Sequence, residues 1–186
     1  MKYKPFPIET RLYFVTSVLT RHKPIFRSDF LCLPVLQALE YYVQRGEWLL
    51  FAFCLMPTHL HALLQMTGVN TIEKQMGEFH KWSGHTIVEL LKQNEDRASL
   101  DFFRKMAGGR RDRSHLIWDD AIAKPVFTER YLIEVMEYIH NNPCKPPWNL
   151  ARDRTEYRYS SAKFYDCGEL PVIPVEDIRQ RWLSLV

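Results

Sequence analysis

Residues 47–66, "EWLLFAFCLMPTHLHALLQM", limit the possible folds of this chain more than any other stretch. The first half is too apolar to be a strand with one face in water. Pro57-Thr58 punctuates the run and "HLHALLQM" resumes it, which predicts two strands joined as a hairpin. An isolated hairpin is marginal in water, so further strands and helices must cover this one.

The flanking segments supply them. "RLYFVTSVLT" (11–20) is aromatic and β-branched and reads as a strand. "LCLPVLQALEYYVQRG" carries apolar residues at helical spacing and stops at Gly46, a natural helix end. Helical periodicity returns from Thr71, a plausible N-cap, to Gln93. A basic loop, "FFRKMAGGRRDRSH" (102–115), follows, then "HLIWDD" as a fourth strand and "FTERYLIEVMEYIHNNP" as a helix. The resulting β-α-β-β-α-β order predicts an α+β, ferredoxin-like domain. In that fold an antiparallel sheet carries helices on one face. A C-terminal helix bearing Tyr138 follows, then an irregular, proline-rich tail ending in a short helix near 175–184.

The 186 residues are most simply one domain spanning 1–186, with a core of about 8–145 and a tail of about 146–186. At 46 % hydrophobic and 25 % charged, the chain has the composition of a folded protein rather than a disordered one. No apolar run approaches the roughly 18 residues of a membrane span. "MKYKPFPIET" has prolines and charges where a signal peptide would be apolar, so a cytoplasmic location is expected. The four cysteines are scattered, with no CxxC pair, which argues against a zinc ribbon or a disulfide framework.

The net charge of +3 is unevenly spread. Arg104, Lys105, Arg110, Arg111 and Arg113 fall in the 102–115 segment against one aspartate, and Arg158 and Lys163 belong to "RDRTEYRYSSAK". Such clusters are either solvated connections or the footprint of a polyanion.

Two polar residues stand out within the apolar hairpin. His59 and His61 alternate with Leu60 and Ala62, so they share one face of their strand, with Cα atoms roughly 6.5 Å apart. At that spacing two imidazoles can converge on one metal ion, or each can be satisfied separately; spacing alone leaves both readings open. In the last helix, Leu132, Val135, Met136 and Ile139 form the buried stripe, at i, i+3, i+4 and i+7. Tyr138 falls beside that stripe, stacked with Glu134 and Asn142 four residues either way. A phenol and an amide aimed together offer a nucleophile and a neutral oxygen ligand. Phenols are poor nucleophiles at neutral pH unless activated. A divalent ion held by two histidines and an amide could polarise a phosphate for in-line attack.

"MPTHLHALL" resembles the HUH motif of single-tyrosine transposases, and "EYIHNNP" resembles their tyrosine-helix motif. "YRYSSAKFY" (157–165) is similar to a third signature, that of the REP-associated tyrosine transposases (RAYTs). The three occur in family order and span most of residues 8–165. After the Asn-Pro the chain departs from that family's small, apolar, glycine-containing run and reads "CKPPWNLARD".

The resemblance implies an enzyme that cleaves and rejoins hairpin-containing single-stranded DNA through a covalent phosphotyrosine, using Mg²⁺ or Mn²⁺. Tyr138 would be the nucleophile, and His59, His61 and Asn142 the metal ligands. Partners would be repeat-element hairpin DNA and no membrane, with the protein a monomer or a homodimer. Two rival readings are a domesticated, non-mobilising binder of hairpin DNA and a metal-dependent hydrolase in which the histidine pair activates water.

Overall fold

The structure, a computed structural model, describes residues 11–109 and 114–185. The "MKYKPFPIET" segment and Arg110, Arg111 and Arg113 lie outside the described residues. Among the described residues no helix is long and apolar enough to cross a membrane.

Four strands form one antiparallel sheet: β1 (Leu12–Val18), β2 (Trp48–Met56), β3 (His59–Met66) and β4 (Ile122–Pro125), in the spatial order β2-β3-β1-β4. Between them run α1 (Asp29–Gln44), α2 (Ile72–Gln93) and α3 (Arg97–Ala107), and α4 (Glu129–Asn141) follows β4. β3 lies between β1 and β2, so the first β-α-β unit is split by the strand that follows it. The α+β class and the antiparallel sheet agree with the sequence-based expectation.

α1, α2 and α3 share one hydrophobic cluster with Val15, Leu60, Ala62 and Leu64 of the sheet. α4 covers the opposite face, packing Leu132, Val135 and Ile139 against Leu12, Phe51, Met56 and Leu63. Both faces are therefore covered, as the apolar run of β2 requires. A bulge between Leu50 and Ala52 reverses the alternation of β2. Trp48 and Leu50 face α1–α3 before the bulge, and Phe53 and Leu55 do so after it, while Cys54 and Met56 face α4.

Two sequence-based expectations are corrected. Residues 102–107 belong to α3, with Leu100 and Phe103 buried and Gly108 ending the helix at φ +62°, so the 102–115 segment begins as helix rather than loop. "HLIWDD" does not form the fourth strand. It makes a single bridge, Leu19 to Trp118, at the end of β1, while β4 is the exposed "IAKP". Ile117 and Trp118 are buried for another reason: Trp118 Nε1 donates to Ser83 Oγ (3.0 Å), and its ring stacks on His80 of α2 (5.1 Å between centroids). Hydrophobicity there marks a helix contact, whereas a short edge strand ending in proline carries little apolar signal.

The tail closes the other edge of the sheet. Leu55 N–H donates to Tyr159 O (2.8 Å), Ser161 N–H to Phe53 O (3.0 Å), and Phe53 N–H to Ser161 Oγ (2.9 Å). The Tyr157 and Tyr165 hydroxyls donate to the carbonyls of Leu55 and Phe51, each at 2.8 Å. The "YRYSSAKFY" segment thus satisfies the unpaired backbone of β2. It runs into α5 (Ala162–Cys167), and α6 (Ile178–Leu185) ends the described chain.

Candidate active site

The register of the sheet builds the centre of the site. Thr16 of β1 lies directly across from His61 of β3, and Val18 across from His59. Alternation puts Phe14, Thr16, His59 and His61 on the face that α4 covers.

His61 is buried, 3 % exposed, and its ring centroid is 4.6 Å from that of His59. Its Nδ1 lies 2.9 Å from Thr16 Oγ1, and its Nε2 is buried with no hydrogen-bond partner among the described residues. His59 Nδ1 lies 2.8 Å from Thr58 Oγ1, and the nearby Asn142 side chain acts on the same imidazole, opposing the effect of its burial. Burial is the main reason that the His59 pKa is pushed down to about 4 and the His61 pKa to about 3. Both rings are therefore neutral at pH 7, the state in which imidazole ligates a metal.

α4 supplies the rest. Thr128 caps it by accepting from Tyr131 N–H (3.2 Å), and Asn142 begins a 3₁₀ turn where Pro143 ends the helix. Tyr138 is 42 % exposed beside the buried stripe, as helical spacing predicts, while Met136 is only half-buried. The Tyr138 ring centroid lies 5.0 Å from that of His61 and 5.8 Å from that of Phe14, edge-on to Phe14 at 77°. Asn142 is 8 % exposed. His59, His61, Tyr138 and Asn142, separated by up to 83 positions in sequence, thus meet within one chain.

The donor set fits a divalent ion. Two neutral imidazoles and an amide are suitable ligands, more comfortably for Mn²⁺ than for Mg²⁺. The buried, unpartnered His61 Nε2 is the observation that favours a ligand there, since an unmet polar atom otherwise costs about 1–3 kcal/mol. A ligand at Nε2 would require the proton on Nδ1, where the Thr16 hydroxyl lies 2.9 Å away and can accept it.

Thr16 and Lys145 were not expected from the sequence. Lys145 Nζ stands 5.6 Å from the Tyr138 ring centroid, and the Trp148 ring is 6.2 Å from that of His59. Both Lys145 and Trp148 belong to "CKPPWNLARD", where the chain leaves the family pattern. Alternation in β1 places Thr16 on a face but does not say which strand it meets.

The basic residues are dispersed. Arg104 and Lys105 sit in the last turn of α3, on the layer opposite α4, and Arg104 pairs with Asp101 (2.9 Å). Arg158 pairs with Asp29 (2.9 Å), and Lys163 pairs with Glu169. The partners of Arg104, Arg158 and Lys163 are thus acidic side chains outside the His–Tyr cluster.

No family model matches the sequence, and no significant match exists among curated proteins. Among solved structures, the chain resembles a REP-associated tyrosine transposase bound to a REP hairpin. The TM-score is 0.58 and the identity 15 %, over 96 % of this chain and 93 % of that one. A candidate transposase from Deinococcus radiodurans R1 aligns with 70 % of this chain and 88 % of its own, at TM-score 0.45 and 16 % identity. At these identities the first likeness is one of fold, and this chain has that fold over nearly its whole length.

Proposed function

We propose that this protein is a DNA strand transferase of the tyrosine transposase kind, acting on hairpin-containing single-stranded DNA. The observation that carries the reading is the placement of the exposed Tyr138 ring 5.0 Å from His61, whose buried Nε2 has no partner. The hairpin-bound transposase of the same fold supports it.

In the proposed step, Tyr138 Oη attacks a backbone phosphorus while the bond from that phosphorus to the 3′ oxygen breaks. The phenolic proton passes to water, and the departing oxygen takes up a proton to become a free 3′-hydroxyl. The 5′ phosphate remains esterified to Tyr138. Attack by a second 3′-hydroxyl reverses the step, rejoins a strand and restores the phenol, so no nucleotide cofactor is consumed. A Mg²⁺ or Mn²⁺ ion held by His59, His61 and Asn142 would supply charge at the phosphate oxygens.

The chain's own residues do the positioning. Phe14, edge-on to Tyr138, holds the ring at the cleft mouth, and the Thr16 hydroxyl supports His61 through Nδ1. The Lys145 ammonium, close to the Tyr138 ring, adds positive charge where a phosphate would approach. The nucleophile and the histidines come together within one chain, which supports a monomeric assembly; a homodimer is the alternative.

Radiolabelled single strands from the repeats flanking the protein's own gene, incubated with Mn²⁺, test the reading. A covalent species on a denaturing gel that disappears in Tyr138→Phe is expected. Release of cleaved strands with no protein-linked product would point to water as the nucleophile and overturn it.

A further inference from the structure

We infer that the cleft between β4 and α4 is a pocket for one unpaired nucleobase, best matched by guanine; this rests on the reading of the protein as a strand transferase. The cleft has a volume of about 440 Å³ and opens beside His61 and Tyr138. That volume lies within the roughly 300–1,000 Å³ of small-ligand sites.

Its walls have the chemistry of a base. Phe14, Tyr131 and Tyr138 line it with rings, and Ile122 and Val135 complete an apolar surface. The Phe14 and Tyr138 rings meet at 77°, so a flat heterocycle stacked on one presents its edge to the other. Helical spacing puts Tyr131, Glu134 and Tyr138 on one side of α4, at i, i+3 and i+7.

The two charged lining residues come from different elements. Lys124 lies across from Phe14 on the β4 edge, and Glu134 stands on α4, its carboxylate 56 % exposed and held by Arg130 (2.9 Å). A carboxylate accepts hydrogen bonds and an ammonium only donates them. Guanine offers both complements, N1–H and N2–H₂ donors on one edge and O6 and N7 acceptors on another. Cytosine and adenine offer fewer donors to the carboxylate, and thymine offers one. In a duplex the ring faces are stacked and the N1–H edge is paired, so the pocket selects an unstacked, single-stranded base next to the phosphate that Tyr138 would attack.

The test uses the full chain and ligand-detected NMR titrations with dGMP, dAMP, dCMP, dTMP and deoxyribose 5-phosphate. Nucleotides should bind more tightly than the sugar phosphate by roughly 5- to 150-fold, the range that base stacking on aromatic rings provides, with dGMP first. Tyr131→Leu, which keeps apolar bulk on a helix surface, should weaken every nucleotide by about fivefold or more and leave the sugar phosphate unchanged. Glu134→Gln should remove the preference for dGMP alone. Equal binding of sugar phosphate and nucleotides, or nucleotide affinities indifferent to Tyr131→Leu, would overturn the pocket. The strand-cleavage assay keeps the two readings separate. Adduct formation with nucleotide binding indifferent to Tyr131 sinks only the pocket, and Tyr131-dependent dGMP binding without an adduct sinks only the transferase.

Discussion

Thr16 and His61 face each other across β1 and β3, and the 2.9 Å contact between Oγ1 and Nδ1 leaves the buried Nε2 of His61 without a partner. A proton on Nδ1, which that hydroxyl can accept, would leave the Nε2 lone pair free for a ligand. Thr16→Val keeps the shape of the side chain but removes that acceptor. Mn²⁺ affinity should fall about 10- to 100-fold, the usual cost of losing such a support, and Thr16→Ser should restore most of it. Paramagnetic resonance of bound Mn²⁺ measures this, with His61→Ala as the fully defective reference. An unchanged affinity in both Thr16→Val and His61→Ala would make the histidine pair structural.

Tyr138 lies off the buried stripe of α4, so loss of its hydroxyl should change stability by less than about 0.5 kcal/mol. Tyr138→Phe is expected to form no covalent DNA adduct while binding hairpin DNA as tightly as the wild type. Adduct retained in this variant would move the nucleophile elsewhere, with Tyr131 next to test.

Arg110, Arg111 and Arg113 test the basic segment from sequence alone. If they neutralise backbone phosphates, replacing all three with Gln weakens binding to every single-stranded or hairpin DNA about equally. The salt dependence then flattens by roughly 0.7–0.9 log units for each phosphate no longer neutralised. Equilibrium binding at several salt concentrations measures both quantities; identical slopes and affinities would assign these residues to a solvated connection.

His80 is held neutral inside the fold. Burial pushes its pKa down to about 4, its Nε2 lies 2.8 Å from Ser17 Oγ, and its ring stacks on Trp118. The unfolded chain, with histidine near 6.5, binds the proton first, so this group's stability contribution is complete above pH 6.5. It is lost progressively as the pH falls from 6.5 to about 4. Urea unfolding across that range should show a falling midpoint, and His80→Phe, which retains the ring stack, should flatten the slope. Equal pH slopes in the two proteins would count against this assignment.

Ser161 joins three elements: its Oγ accepts from Phe53 N–H (2.9 Å) and lies 2.9 Å from His140 Nε2 on α4. Ser161→Ala leaves both buried partners unmet and should cost about 1–3 kcal/mol per unmet group at most. Thermal unfolding supplies the check, with Ser160→Ala as a comparison on the neighbouring residue. A melting point equal to the wild type's would mean that water or another side chain replaces the hydroxyl.

Much of this was legible in local pattern. Apolar run length identified β2 and β3, 3.6-residue spacing identified the buried face of α4, and Thr71 marked a helix start in the manner of a capping residue. Because alternation and helical rise are local properties, they sufficed to put His59 with His61 on one face and Tyr138 beside the core stripe. Partnership is not local. Which strand Thr16 meets, that the Phe51 bulge reverses the faces of β2, and that "IAKP" rather than "HLIWDD" completes the sheet all depend on pairing between segments distant in sequence. The role of Ser161 likewise arises only when the tail closes on the open edge of β2. Periodicity encodes which side of an element is apolar. The identity of what lies against that side is set by packing the whole chain at once, and here that packing brings a threonine, two histidines, a tyrosine and an asparagine into one site.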